Sequence, residues 1–157
     1  MSSLSHKLQS IILDSIDKFA AIPKKRWNAK KDENSWSKKE ILGHLIDSCY
    51  NNHGRFLRAE SLDNLIFEGY DQNKWVEMNN YAERDHDDII DTFIISNLHL
   101  ANLIGNIPDS VMTKMTTKHN FHLTSMVTVE EGSERSLEYM VSDYIFHLNH
   151  HLAQILG

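Results

Sequence analysis

Only two prolines, Pro23 and Pro108, occur in 157 residues, and that shortage constrains the fold more than any other feature. Proline removes a backbone donor and clashes with the preceding turn, so the long stretches without it are free to run as helices. Apolar residues recur there at three- and four-residue spacing, the period of an amphipathic helix. Over residues 4–21 the stripe is Leu4, Leu8, Ile11, Ile12, Ile16 and Phe19, and Pro23 closes it. A second helix is predicted over 37–60, where Ser37 and Glu40 form a capping box and Leu42, Leu45, Cys49 and Phe56 supply the apolar flank. A third begins near Asp85, with Asp85, Asp87 and Asp88 at the positive end of its dipole. It carries Ile90, Phe93, Ile94, Ala101 and Ile104, and closes at Gly105 and Pro108. The fourth starts near Ser133 or Ser136 and runs through Leu137, Val141, Tyr144, Leu148, Leu152 and Ile155.

Four such helices pack most naturally as a bundle, within one domain spanning residues 1–157. The connections 61–84 and 108–132 are too long for a simple up-down-up-down path. Loops of this length in a compact domain usually serve a site or an interface. The first is rich in Phe67, Tyr70, Trp75 and Tyr81, and its Tyr70–Trp75 stretch suits either a lid over a site or core packing. The second alternates weakly around Phe121, Leu123 and Val127 and has room for a short strand pair.

Composition narrows the function. The 16 Lys and Arg against 22 Asp and Glu leave a net charge of −6, which argues against binding nucleic acid through a broad basic surface. No apolar run reaches the length of a membrane span. The start, MSSLSHKLQS, lacks a signal-peptide layout. The lone cysteine, Cys49, suits a reducing compartment, so a cytoplasmic location is expected. Cys49 faces the core and makes a poor nucleophile.

The ten histidines are the chemical signal. His147 and His151 stand four residues apart, about 40° apart on one helix face, so their imidazoles can converge on one metal ion. Asp143 and Gln154 share that row, while His150 is aimed to the side. On the second helix His44, Ser48, Asn51 and Arg55 form a row within roughly 60°. Both rows border core positions. An i, i+4 histidine pair alone more commonly faces solvent or satisfies a helix cap than binds a metal. Facing rows, however, can place His44, His147 and His151 around one ion with a position left for water, an open and catalytic type of site.

The stretches Trp36-Ser37-x-x-Glu40-Ile-Leu-Gly-His44-Leu-Ile-Asp47-Ser48, Asn51-Asn52-His53-x-Arg55-Phe56 and Asp143-Tyr-Ile-x-His147-x-x-His150-His151-Leu-x-Gln154 resemble the DinB-like (YfiT-like) family over nearly the whole chain. The resemblance implies an all-α, four-helix bundle of up-down-down-up topology. It also implies a divalent metal held by three histidines, which carry over as His44, His147 and His151. Relatives include metal-dependent hydrolases and enzymes that use low-molecular-weight thiols such as bacillithiol. Such families often form dimers, so the resemblance is compatible with a homodimer, whose interface the sequence does not locate. Three neutral imidazoles suit zinc, nickel or iron.

A bound divalent ion acidifies water or stabilises a thiolate. The residues between His147 and His151 include no glutamate to act as a general base. The expected activity is therefore bacillithiol-type S-transfer to a small electrophile with a thiol cosubstrate. Metal-dependent hydrolysis and a non-catalytic, stress-related metal- or ligand-binding module are the alternatives. Asp47 and Asp143 are placed to orient ligand imidazoles. Arg55 suits an anionic substrate group or, more simply, a helix-to-helix salt bridge. Asn97, inside an apolar stripe, serves either the site or a hydrogen bond that specifies the bundle. Imidazole's ordinary pKa, about 6.5, sets the expectation that metal affinity falls below about pH 6.

Overall fold

The structure, a computed structural model, describes residues 3–157. In chain order its helices are α1 (Ser3–Ala20), α2 (Lys38–Ala59), α3 (Gln72–Met78), α4 (His86–Asn106), α5 (Asp109–Met112), α6 (Phe121–Thr124) and α7 (Leu137–Leu156). The four long ones are those the periodicity predicts, and their ends follow from local chemistry. The Ser37 hydroxyl accepts from the Glu40 amide at 3.3 Å, and the Glu40 carboxylate accepts from the Ser37 amide at 2.8 Å. Asp85 accepts from the Asp87 amide at 2.8 Å to cap α4. Ile107 turns extended ahead of Pro108, as the residue before a proline prefers. Of the two candidate starts for the last helix, Ser136 is the one used.

Contacts between the helices define the path. The Ser5 hydroxyl donates to the Ala101 carbonyl at 2.7 Å while Phe19 packs edge-on against Phe93, so α1 and α4 are antiparallel. Lys39 reaches the carbonyls of Ala82 and Arg84 just before α4, and His53 stacks on His99, so α2 runs parallel to α4. Lys38 donates to the Ile155 carbonyl and Phe56 meets Tyr144, so α7 opposes α2. The topology is up-down-down-up. α1 and α2 each neighbour α4 and α7, which places α1 and α2 across a diagonal. The four stripes meet in one core that includes Leu8, Ile12, Leu42, Leu45, Phe93, Ile104, Val141 and Leu148.

The strand pair allowed for in 108–132 does not form among the described residues. The segment makes two single helical turns and two isolated bridges, Leu65 with His119 and Thr116 with Arg135. Its pairing partners, Leu65 and Arg135, lie in separate segments before and after it, and each bridge stands alone. The two long connections instead bind each other. The Asn120 amide donates to the Phe67 carbonyl at 2.7 Å and accepts from the Phe67 amide at 3.0 Å, and Phe67 stacks on Phe121. Together they form a second layer over one side of α2 and α7.

Asn97 bonds within the bundle: its amide donates to the Phe93 carbonyl at 2.9 Å and its oxygen accepts from Tyr144 at 2.5 Å. Of its two candidate roles, the structure selects the bond that joins α4 to α7. No helix among the described residues is long and apolar enough to cross a membrane.

Candidate metal centre

Antiparallel packing of α2 on α7 brings the two histidine rows face to face. His44, 1% exposed, meets His147 and His151 with ring centroids 5.0 and 4.9 Å away. His147 and His151 are 4.6 Å apart. The ligating nitrogens of the three all lie within 4.8 Å of one another, and the Nε2 atoms of His44 and His147 are 3.0 Å apart. Trp36 covers the outer face of His44, its ring 5.0 Å from the imidazole.

The environment keeps this cluster neutral. Burial, reinforced by His151, lowers the His44 pKa to about 4. Burial and the neighbouring imidazoles lower His147 to about 3, and burial also lowers His151. Neutral imidazole is the form that binds a metal, so the donor set fits a divalent cation. All three imidazoles are shifted toward the neutral form, which moves proton competition below the pH that the ordinary imidazole pKa suggests.

Gln154 orients one ligand. Its side-chain oxygen pairs with His151 Nδ1 at 2.8 Å and its nitrogen with His150 Nε2 at 3.0 Å. An amide oxygen only accepts, so Nδ1 carries the proton and the His151 Nε2 lone pair is left for a metal. His150 is exposed and touches the cluster through this amide and the edge of the His151 ring.

Asp47 and Asp143 do not orient imidazoles. Asp47 accepts from the Tyr81 hydroxyl at 2.7 Å and the Asn79 amide at 2.9 Å, which ties the end of α3 to α2. Burial, opposed by those two bonds, pushes its pKa up to about 6. Asp143 accepts from the Met126 and Val127 amides at 2.9 Å and so holds a loop in place. The Nδ1 atoms of His44 and His147 are buried without a protein partner. In each case a donor from a loop outcompetes the helix neighbour, whose ring turns toward the other histidines.

A cavity of about 210 Å³ opens beside His44 and His147, with Ser48, Asn52, Arg55, Tyr70 and Met126 among its walls. Asn51, predicted on the row, lines no part of it; Asn52 takes that place. Among the described residues Arg55 forms no salt bridge. It is 5% exposed and donates to the Glu68 carbonyl at 2.6 Å. Tyr70 and Gln72 belong to the wall of the cavity, so the aromatic stretch covers the site. Asn52 escapes sequence reasoning because it lies off the histidine row, whereas Tyr70 belongs to the stretch singled out as a candidate lid. Cys49 is 2% exposed, and burial pushes its thiol up to about 11, so it is the inert core residue expected. Asp85, His86 and Asp87, another group of potential ligands, form the largely exposed cap of α4.

Comparison with known proteins places these features in context. A family model described as the DinB superfamily matches residues 14–155. A protein of Halalkalibacterium halodurans named "Putative metal-dependent hydrolase BH0277" is 25% identical over 125 residues, which cover 78% of this chain and 65% of that protein's length. YfiT from Bacillus subtilis, described as "a probable metal-dependent hydrolase with an unusual four-helix bundle topology", shares the fold with a TM-score of 0.76 at 16% identity. The alignment covers 99% of this chain and 86% of YfiT.

Proposed function

The chain belongs to the DinB superfamily, and on that premise we propose that it is a metal-dependent hydrolase of small molecules, with a divalent cation (zinc, nickel or iron) held by His44, His147 and His151. One observation carries the reading: three neutral imidazoles on two helices converge beside a cavity of about 210 Å³. The relatives named as metal-dependent hydrolases support it. When bound, such an ion supplies Lewis acidity, acidifying water or a thiol and polarising an electrophile. The chain's own residues do the rest. Gln154 sets the tautomer of His151. Trp36 and the Tyr70 wall limit solvent around the imidazoles, and the hydroxyls and amides of Ser48, Asn52 and Tyr70 position the substrate.

A second reading, bacillithiol-type S-transfer, is favoured by one observation. Neither buried carboxylate beside the histidine rows offers a free base to the cavity: Asp143 has both oxygens on the Met126 and Val127 amides, and Asp47, bonded through one oxygen to Tyr81 and Asn79, does not line it. A thiol ionised by a cation needs no separate base. Cys49 does not serve as that thiol, because its burial disfavours the thiolate.

Metal content of the purified protein, followed by ester, amide and thiol-conjugation assays with and without added zinc, separates these readings. Hydrolysis lost in His147→Ala, with zinc affinity reduced on the order of a hundredfold or more, supports the proposal. His53→Ala is the control, since His53 stacks on His99 away from the three histidines, and should change neither. Thiol conjugation without hydrolysis selects the second reading. Tight metal binding with neither activity selects a metal- or ligand-binding module.

A further inference from the structure

The cavity beside the histidines carries a buried positive charge with no protein anion to match it. Arg55 is 5% exposed. Its guanidinium donates to the Glu68 carbonyl at 2.6 Å, approaches the Asn52 side-chain oxygen at 3.5 Å and lies 5.7 Å from the Phe67 ring. Its Nε is buried with no partner. The ion pairs among the described residues involve Lys30 with Glu40 and His86 with its acidic neighbours, so none reaches Arg55. The other carboxylate on this cavity, Asp143, has both oxygens occupied by loop amides. Burying a charge is costly unless it is paired. Burial lowers the Arg55 pKa, yet a guanidinium remains protonated at neutral pH. Carbonyl and ring contacts offset only part of that charge.

We infer that the substrate is a small molecule bearing an oxyanion, a carboxylate or phosphate, which Arg55 holds while the reacting end lies against His44 and His147. This deepens the proposed hydrolase reading and rests on it. Side chains on a helix lean toward its N-terminus, so Arg55 leans back along α2 toward His44 on the same face. The guanidinium fork matches the two oxygens of a carboxylate or phosphate, and Arg55 lines the same cavity as His44 and His147. The hydroxyls and amide of Ser48, Tyr70 and Asn52 add neutral partners in the same cavity. A volume of about 210 Å³ holds roughly seven water-sized groups, which limits the ligand to a short acid or phosphate ester.

The test follows the backbone amide signals of Ser48, Asn52 and Tyr70, which every variant retains, by nitrogen–proton NMR in the metal-free protein. Sodium acetate and sodium phosphate are titrated separately, with chloride holding ionic strength constant. A saturable shift in either arm, with an apparent Kd at least about tenfold weaker in Arg55→Gln and partly restored in Arg55→Lys, is the expected result. The tighter arm identifies the oxyanion. A shift no larger than chloride produces, or a Kd unchanged in Arg55→Gln, overturns the inference. If Arg55→Gln fails to fold because the Glu68 contact is lost, the wild-type titration decides alone. Zinc binding, measured separately on the wild type and Arg55→Gln, should be equal in the two. Failure of zinc to bind either would sink the metal reading and leave the oxyanion result standing.

Discussion

Burial sets the chemistry of His44 and His147 more than sequence position does. Both imidazoles, at about 4 and about 3, titrate far below their unfolded value near 6.5. The unfolded chain therefore binds more protons than the folded one between about pH 6.5 and pH 3, and stability rises with pH there. The contribution is fully present above about pH 6.5 and is lost as pH falls toward the folded values. Asp47 acts in the opposite sense. Its folded pKa, about 6, lies above the unfolded value near 4, so its contribution is present at low pH and lost as pH rises through about 6. Two histidines outweigh one aspartate. Thermal melts of the metal-free protein should show stability increasing from pH 4 to pH 7. Asp47→Asn, which removes the opposing titration, should steepen the increase; a flat profile would contradict the assignment. For the same reason zinc affinity should fall less steeply between pH 7 and pH 5 than the ordinary imidazole pKa implies, which isothermal titration can measure.

Among the elements, α2 is the most constrained, because it carries His44, Asp47 and Arg55 and packs against α3, α4 and α7. Gly43 is the point of closest approach. A Cβ there would lie 2.2 Å from the Tyr81 ring, and Tyr81 is 2% exposed and tied to Asp47, so the ring cannot retreat. Gly43→Ala should cost about 1–3 kcal/mol through overpacking, readable in denaturant melts. It should also weaken zinc binding, since with the ring held the α2 backbone must shift at Gly43, next to His44. Retention of wild-type stability would mean that the ring moves freely. Glycine at this position is a packing requirement that no helical periodicity reveals.

Across the whole molecule, the diagonal placement of α1 and α2 makes the core a meeting of four stripes, and buried polar bonds tie its helices together. Tyr144 donates to Asn97 between α7 and α4. Tyr144→Phe leaves the Asn97 oxygen buried and unpaired, a loss of about 1–3 kcal/mol, and chemical denaturation should report it. Tyr144 also lines the cavity beside the histidines, so the same substitution tests whether bundle register and site geometry are coupled. Zinc affinity reduced along with stability would show that they are; stability lost alone would show that the histidine cluster is held by α2 and α7 themselves.

Four helices, their caps and the two histidine rows were legible in the sequence because each is local. A period of three to four residues sets a helix face, a serine three residues before a glutamate sets a start, and about 100° per residue aligns His147 with His151. The partners of Asp47, Asp143 and Arg55 were not legible. They lie in the connections, at Asn79 and Tyr81, at Met126 and Val127, and at Glu68. No period governs a loop, so its backbone donors and acceptors acquire positions only once the core has closed. Burial is likewise a property of the packed molecule. It separates Asn52 from Asn51 at the cavity, holds His44 and His147 neutral and leaves the Arg55 charge without an anion. The sequence by itself determined which side chains could meet. Tertiary packing decided which did, because desolvation and long-range hydrogen bonds exist only in the folded chain.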